Sequence, residues 1–212
     1  MTHATLAGAL VTIYPIRLYG DAVLRRAARP VERFDDALRH FGAALVETML
    51  EAEGAGLAAP QVGVSLRAFA LAGTYAGTLD PDEEHDREAE RAAARMIVNP
   101  QVVAREGQRV DLEGCLSIPG VYAQVERAAS ITVRFQDLDG RWQQVSAEGN
   151  HAKAIQHELD HLDGVLFLDR LPVPLRADVM EEHRADLAQM QRDARAHLKE
   201  LRLAGLPLRP WP

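Results

Sequence analysis

Hydrophobic positions change period several times along the chain, and each change marks an element. From Asp35, apolar positions recur at three- and four-residue steps (Leu38, Phe41, Leu45 and Met49, with Thr48 alongside). This predicts an amphipathic helix capped by Asp35 or Asp36. It should end near Glu53-Gly54, where glycine can take positive φ. Period two appears at Ile131, Val133 and Phe135, which predicts a strand over 129–135. Asp139-Gly140 then signals a hairpin turn, with 141–147 returning as the partner strand. Residues 66–71 read as a strand, 96–104 as a strand interrupted by Pro100, and 121–125 alternate in part. A second helix is predicted over 151–162, stopped by Asp163-Gly164 and followed by a short apolar strand or turn at 165–168. One long helix, about 175–203, carries a stripe of Met180, Leu187, Met190, Ala194, Leu198 and Leu201.

The remaining stretches are punctuation. Residues 1–10 read as a loose lead-in, 13–18 as a short extended segment, and Asp21 as the cap of a helical turn through Leu24. Residues 54–63 hold three glycines and a proline, which excludes a regular helix. They form either a plain connection or a loop whose backbone approaches a ligand, with Gln61 as its one strong polar side chain. At 112–120 the chain carries Cys115 just before an expected Pro119-Gly120 turn. Residues 74–95 shift to Gly, Asp, Glu, Arg and Ala, a solvated surface insertion with a short exposed helix from Arg87. Together these elements predict an α+β fold: mainly antiparallel sheets packed around the central 151–162 helix, plus a C-terminal helix. The expected organisation is a single catalytic domain over 1–212, with 205–212 as a proline-rich tail.

Composition narrows the setting. A net charge of −7 gives no electrostatic reason to expect direct reading of nucleic acid. No apolar run is long enough to cross a membrane, and 1–8 lacks the layout of a secretory signal. Cys115 is the only cysteine, which excludes an internal disulfide. A cytoplasmic location is the expectation.

The chemistry concentrates in Gln156-His157-Glu158-Leu159-Asp160-His161. On a helix, His157 and His161 share one face and can hold one metal ion, while Glu158 can reach a water on that ion. A catalytic metal usually takes a third protein ligand and leaves a position for water. The candidates are His183 or a glutamate downstream, or Cys115 upstream. A lone cysteine is ordinarily a small buried apolar residue. This one lies beside Glu113, Gly114 and Ser117, in a setting that offers backbone and side chain together.

Three segments in order resemble the motifs of the peptide deformylase family. Gly54-Ala55-Gly56-Leu57-Ala58-Ala59-Pro60-Gln61 is similar to G-x-G-L-A-A-x-Q, Glu113-Gly114-Cys115-Leu116-Ser117 to E-G-C-L-S, and residues 156–161 to Q-H-E-x-D-H. The resemblance extends over about 13–170 and includes Gly20-Asp21, Met96 to Pro100 and the Asp139-Gly140 hairpin. It implies hydrolysis of the N-formyl group from the formyl-methionine of newly made polypeptides, with release of formate. It implies Cys115, His157 and His161 as ligands of one divalent metal, Fe2+ first and Zn2+, Ni2+ or Co2+ as substitutes. It further implies Glu158 as the base, with the Gln61 amide and the Leu116 backbone N–H stabilising the oxyanion. Gly56, Gly114 and Ala55 would contact substrate, and Gly56 can pair its backbone with an extended peptide. A transient ribosome contact by the C-terminal helix is a further implication.

Around this centre, Glu113 is expected to pair with Arg127, and Gln156 to brace the segment carrying Cys115. Asp160 has three readings: it holds a ligand histidine, it caps nearby backbone, or it is a surface charge. Asn150 and Lys153 depart from the family pattern, which has apolar residues at the first position and apolar residues or arginine at the second. With Ala55 and Ala154 also small, they predict a roomier or more polar pocket rim. Two rivals share the motif helix. A zinc endopeptidase would need a downstream third ligand, and a structural metal module would have a closed four-ligand site.

Overall fold

The computed structural model describes residues 2–6, 9–80 and 82–204. Strands β1 (Thr2–Leu6) and β2 (Ala9–Ile13) pair antiparallel, so the expected loose lead-in is a two-stranded ribbon. Asp21 caps a short 3-10 turn over Ala22–Arg25 by accepting the Val23 N–H. Helix α1 (Asp36–Glu51) follows, with the Asp35 carboxylate accepting the Leu38 N–H at 3.2 Å. That bond satisfies one of the free donors at the helix start. The helix ends as expected, but the residue at positive φ is Glu53, at 53°, and not Gly54. Gly54 is small for a different reason: a Cβ there would lie 2.8 Å from the Leu116 side chain.

The central sheet has the order β3-β4-β5-β8-β9 and is antiparallel throughout. Its strands are β3 (Gly56–Ala58), β4 (Ala68–Leu71), β5 (Arg95–Glu106), β8 (Ser130–Gln136) and β9 (Trp142–Glu148). The expected interruption at Pro100 is a register shift between Val98 and Gln101, not a break, with Asn99 at φ 48°. A proline cannot donate to a ladder, so it lies at the irregularity where β5 exchanges β4 for β8.

Side-chain alternation divides the sheet into two cores. Leu57, Ala68, Ala70, Met96 and Val98 pack with Leu38, Phe41, Leu45 and Met49 of α1. Phe69, Leu71, Ile97, Ile131, Val133 and Phe135 pack instead with Ile155, Leu159 and Leu162 of helix α3 (Gly149–Leu162). Strands buried on both faces read as continuous apolar runs, which is the pattern of 68–71. The motif helix is therefore pinned on the sheet by its apolar side, and its polar side turns toward a separate hairpin.

That hairpin is β6 (Arg109–Cys115) with β7 (Ile118–Arg127). Cys115 ends a strand, and Pro119-Gly120 lies within β7, not in a turn. Glu113 pairs with Ala123 but Cys115 with Ile118, so Pro119 to Tyr122 fall outside the regular register. The hairpin's inner face packs Ile118, Val121 and Val125 with Phe167, Val179, Leu187 and Met190.

The seven-residue helix α2 (Arg87–Ala93) lies in the expected insertion and buries no residue. It is fastened to α1 all the same, because Arg87 and Arg91 both pair with the buried Glu47. The expected long C-terminal helix is two, α4 (Val173–Glu182) and α5 (Arg184–Leu203), with His183 out of helical geometry at ψ 20°. The break lets Val179 and Leu187 both join the hairpin core. Residues 165–168 enter a 3-10 turn, Phe167–Arg170, and the proline-rich tail lies outside the described residues.

Candidate metal centre and its cleft

Two elements converge to bring Cys115, His157 and His161 together. Cys115 is delivered by the end of β6, and the two histidines by consecutive turns of α3. Their ligand atoms all lie within 4.8 Å of one another. Cys115 Sγ is 3.2 Å from His161 Nε2. A soft sulfur and two imidazole nitrogens this close suit one transition-metal ion. His183 and the downstream glutamates are not part of the group.

The surrounding side chains fix these donors. Glu113 Oε2 lies 3.1 Å from His157 Nδ1, which leaves Nε2 to face the centre. Phe167 stacks on the same imidazole with ring centroids 6.3 Å apart. Arg127 then binds Glu113 through two nitrogens, at 2.8 and 2.9 Å, and reaches Asp160 with a third at 2.6 Å. Arg170 shares the Asp160 oxygen that Arg127 reaches, with Nε 3.0 Å from Oδ2, and takes the other one, Oδ1, with Nη2. Asp160 therefore anchors two arginines, and the residue that orients a histidine is Glu113. Gln156 clamps Ala128 at the β7–β8 turn, both accepting its N–H and donating to its carbonyl at 3.0 Å, and its remaining hydrogen bond goes to the Ala152 carbonyl, not to the Cys115 segment.

Electrostatics follow this packing. Burial pushes the Glu113 carboxyl up, but hydrogen bonds from Arg127 and His157 outweigh it and hold the pKa at about 2. Burial disfavours charge on His157, yet its contacts with Cys115 and Glu113 carry its pKa well above the ordinary value. His161 moves the other way, lowered by burial and then by the charge of His157. Glu158, only 3% exposed, is raised by burial to about 7, and its Oε2 has no hydrogen-bond partner among the described residues. A buried carboxylate oxygen left open costs stability unless a further group meets it.

Gln61 sits on a short 3-10 turn, Ala59–Val62. Its Oε1 accepts the Ala58 N–H at 2.8 Å, so its amide nitrogen must face the other way. That nitrogen lies 3.6 Å from Cys115 Sγ and 3.3 Å from Ser117 Oγ. The opening segment holds both donor-bearing stretches: the Arg17 N–H donates to the Gln61 carbonyl and the Tyr19 N–H to that of Ser117.

A cleft of about 400 Å3 opens onto the centre. Ala55, Gly56, Gly114 and Leu116 line it, together with His157 and Glu158. Lys153 and Ala154 are on its wall, but Asn150 is not. The lack of a side chain at Gly56 makes room for Glu158 as much as for the cleft, since a Cβ there would lie 2.7 Å from Glu158 Oε1. Gly56→Ala should leave the circular dichroism spectrum unchanged and cut turnover at least about tenfold by displacing that carboxylate. A larger cavity of about 730 Å3 between α1, α2 and the β8–β9 turn contains none of these groups.

With this geometry in view, comparison with known proteins is decisive. The family model described as polypeptide deformylase matches residues 13–176. The chain belongs to the peptide deformylase family. A peptide deformylase of Thermus thermophilus is 49% identical over 89% of this chain and 98% of its own length. A crystal structure of the peptide deformylase from Thermus thermophilus has a TM-score of 0.75 and 44% identity, covering 86% of this chain and 99% of that one. A peptide deformylase from Acinetobacter baumannii with Met-Ala-Ser bound has a TM-score of 0.65 and 31% identity, covering 76% of this chain and 99% of that one. Deformylases are metal-dependent hydrolases that remove the N-formyl group from the formyl-methionine of newly made polypeptides and release formate. The α+β architecture expected from the sequence is that of these structures. The alignment with the Thermus relative is longer than 13–176, so likeness extends past the range the motifs suggested.

Ser117, Phe167 and Arg170 also support the deformylase centre, and the sequence alone does not single them out. Ser117 lies inside a motif, but Arg170 stands ten residues from Asp160 with no pattern to mark it. Among the described residues, no helix is long and apolar enough to cross a membrane.

Proposed function

We propose that Cys115, His157 and His161 hold one divalent cation and that Glu158 works beside it as the proton carrier. The observation that carries this reading is the buried Glu158 carboxylate, with one oxygen unpartnered, next to a thiol and two imidazoles within 4.8 Å of one another. A cation held there supplies Lewis acidity, polarising a carbonyl and making water a nucleophile near neutral pH. Fe2+ is the proposed ion, with Zn2+, Ni2+ and Co2+ as substitutes that the same sulfur–nitrogen donor set accepts.

Glu158 takes the proton from the attacking water and delivers it to the leaving amine nitrogen. The Gln61 amide, turned inward by its bond to Ala58, donates to the formyl oxygen as negative charge develops, and the Leu116 N–H donates beside it. The peptide runs extended along the free edge of β3, where Gly56 offers backbone and Ala55 and Gly114 leave room. The relative that binds Met-Ala-Ser supports a short extended peptide as the occupant. The setting is a reducing cytoplasm, where Cys115 is kept out of disulfides and available to the cation. Helix α5 makes a transient ribosome contact through Arg184, Arg192, Arg195, Lys199 and Arg202, and charge reversal there should abolish co-sedimentation with ribosomes.

The deciding experiment is formate release from formyl-Met-Ala-Ser by protein loaded anaerobically with Fe2+. Formate above the no-enzyme rate supports the reading, and none at all overturns it.

A further inference from the structure

Helix α3 and strand β6 pass each other in step, and three contacts mark the crossing. Beside the centre, Cys115 Sγ meets His161 Nε2 at 3.2 Å. One helical turn back, Glu113 Oε2 meets His157 Nδ1 at 3.1 Å. A further turn back, the Leu112 carbonyl meets Lys153 Nζ at 3.3 Å. The first two contacts belong to the metal site and the third does not. Lys153 is nonetheless on the wall of the same cleft, with Leu112 and Tyr122.

The Lys153 ammonium has three donors, and one carbonyl takes one of them. No carboxylate of the described residues lies within ion-pair distance of it. The other acids of the cleft are accounted for. Glu113 is neutralised by Arg127, Glu158 is buried at the centre, and Glu53 is exposed on the segment that follows α1. The cleft wall thus presents one fixed cation without a counter-charge, one helical turn beyond His157.

That position corresponds to a place along a bound peptide, given the extended course proposed above, on which this inference rests. An extended chain advances about 7 Å in two residues, and one helical turn is about 5.4 Å. Alternate side chains of a strand share a face. When the first side chain enters the cleft beside His157 and Ala154, the third faces the same wall about one turn further on. We propose that Lys153 is a specificity-determining residue that favours formyl-peptides with an acidic side chain at the third position over those with a basic one.

The interaction is solvent-accessible and spans one pair, so the preference is about two- to fivefold in kcat/KM. It must weaken with added salt. The test compares formyl-Met-Ala-Glu, formyl-Met-Ala-Lys and formyl-Met-Ala-Ser peptides, amidated at the C-terminus, on the metal-loaded wild type and on Lys153→Met. The expected results are a preference for the glutamate peptide in the wild type that declines between roughly 50 and 500 mM salt, and a ratio near one in K153M. Lys153→Arg should restore the preference. A wild-type ratio of one or below, or an unchanged ratio in K153M, overturns the proposal. The serine peptide separates the two levels of failure. If it is deformylated without any charge preference, only the role of Lys153 is lost; if no peptide is deformylated, the reading of the site itself is lost.

Discussion

Glu158→Gln should keep its metal and lose about 100- to 10,000-fold in formate release, the range expected when a positioned general base is removed. The amide has nearly the shape of the carboxylate, and its neighbours leave little room for rearrangement, because Gly56 is already close enough that an added Cβ would collide. It can neither accept the water's proton nor carry one to the amine. Metal analysis alongside steady-state assays separates this from the rival readings. A structural metal module predicts unchanged metal content and no activity in either protein. An endopeptidase predicts metal retained in Cys115→Ser, whereas the proposed centre would lose one of its three candidate ligands in that variant.

Arg127→Met should be the most destabilising single change near the site. It removes the one cation shared by two buried carboxylates, Glu113 and Asp160, which are 4% and 5% exposed. Breaking a buried pair from one side costs about 3–5 kcal/mol. For a chain of this size that lowers Tm by roughly 6–20 °C. Metal affinity should fall as well, by about 10- to 100-fold, since Glu113 then orients His157 without its own anchor. Adding Glu113→Gln to the same variant should recover part of the melting temperature by removing an orphaned charge, while metal affinity stays low. Equal melting curves for wild type and Arg127→Met would refute this account. The pH dependence has a definite sign. The folded pKa of Glu113 lies near 2, below its ordinary 4.5. Its contribution to stability is present above pH 4.5 and is lost as pH falls toward 2, and Arg127→Met should remove that acid limb.

The sequence announces the candidate ligands and the candidate base better than the residues packed around them, for physical reasons. His157, Glu158 and His161 follow from helical spacing alone, because four residues on a helix fix a shared face. Cys115 needs the motif around it, since nothing local distinguishes a ligand cysteine from a packed one. Glu113 and Arg127 pair as the sequence suggests, but Asp160 keeps three readings open there, and Gln156 clamps a different segment from the expected one. Both answers depend on which neighbour lies across a tertiary gap, the β7–β8 turn for Gln156 and Arg170 for Asp160. Asn150 belongs near the pocket by its place in the motif, yet the first turn of α3 carries it onto the surface. The helices and the hairpin strands are legible because their periods are long. The break at His183 is not, because the apolar stripe continues across it and only packing on the hairpin core reveals the bend.

The bonds from Arg17 and Tyr19 to the carbonyls of Gln61 and Ser117 tie the chain's opening stretch to the two segments that carry Gln61 and Cys115. A ribosome delivers those residues before either partner, so each bond waits for its own partner stretch, Gln61 for Arg17 and Ser117 for Tyr19, to emerge. The opening stretch can therefore be fastened in two steps, the second only after the Cys115 strand has been made. A protein begun at residue 20 would possess every side chain of the candidate site and still lack the two backbone bonds that join its Gln61 and Cys115 segments to the opening stretch.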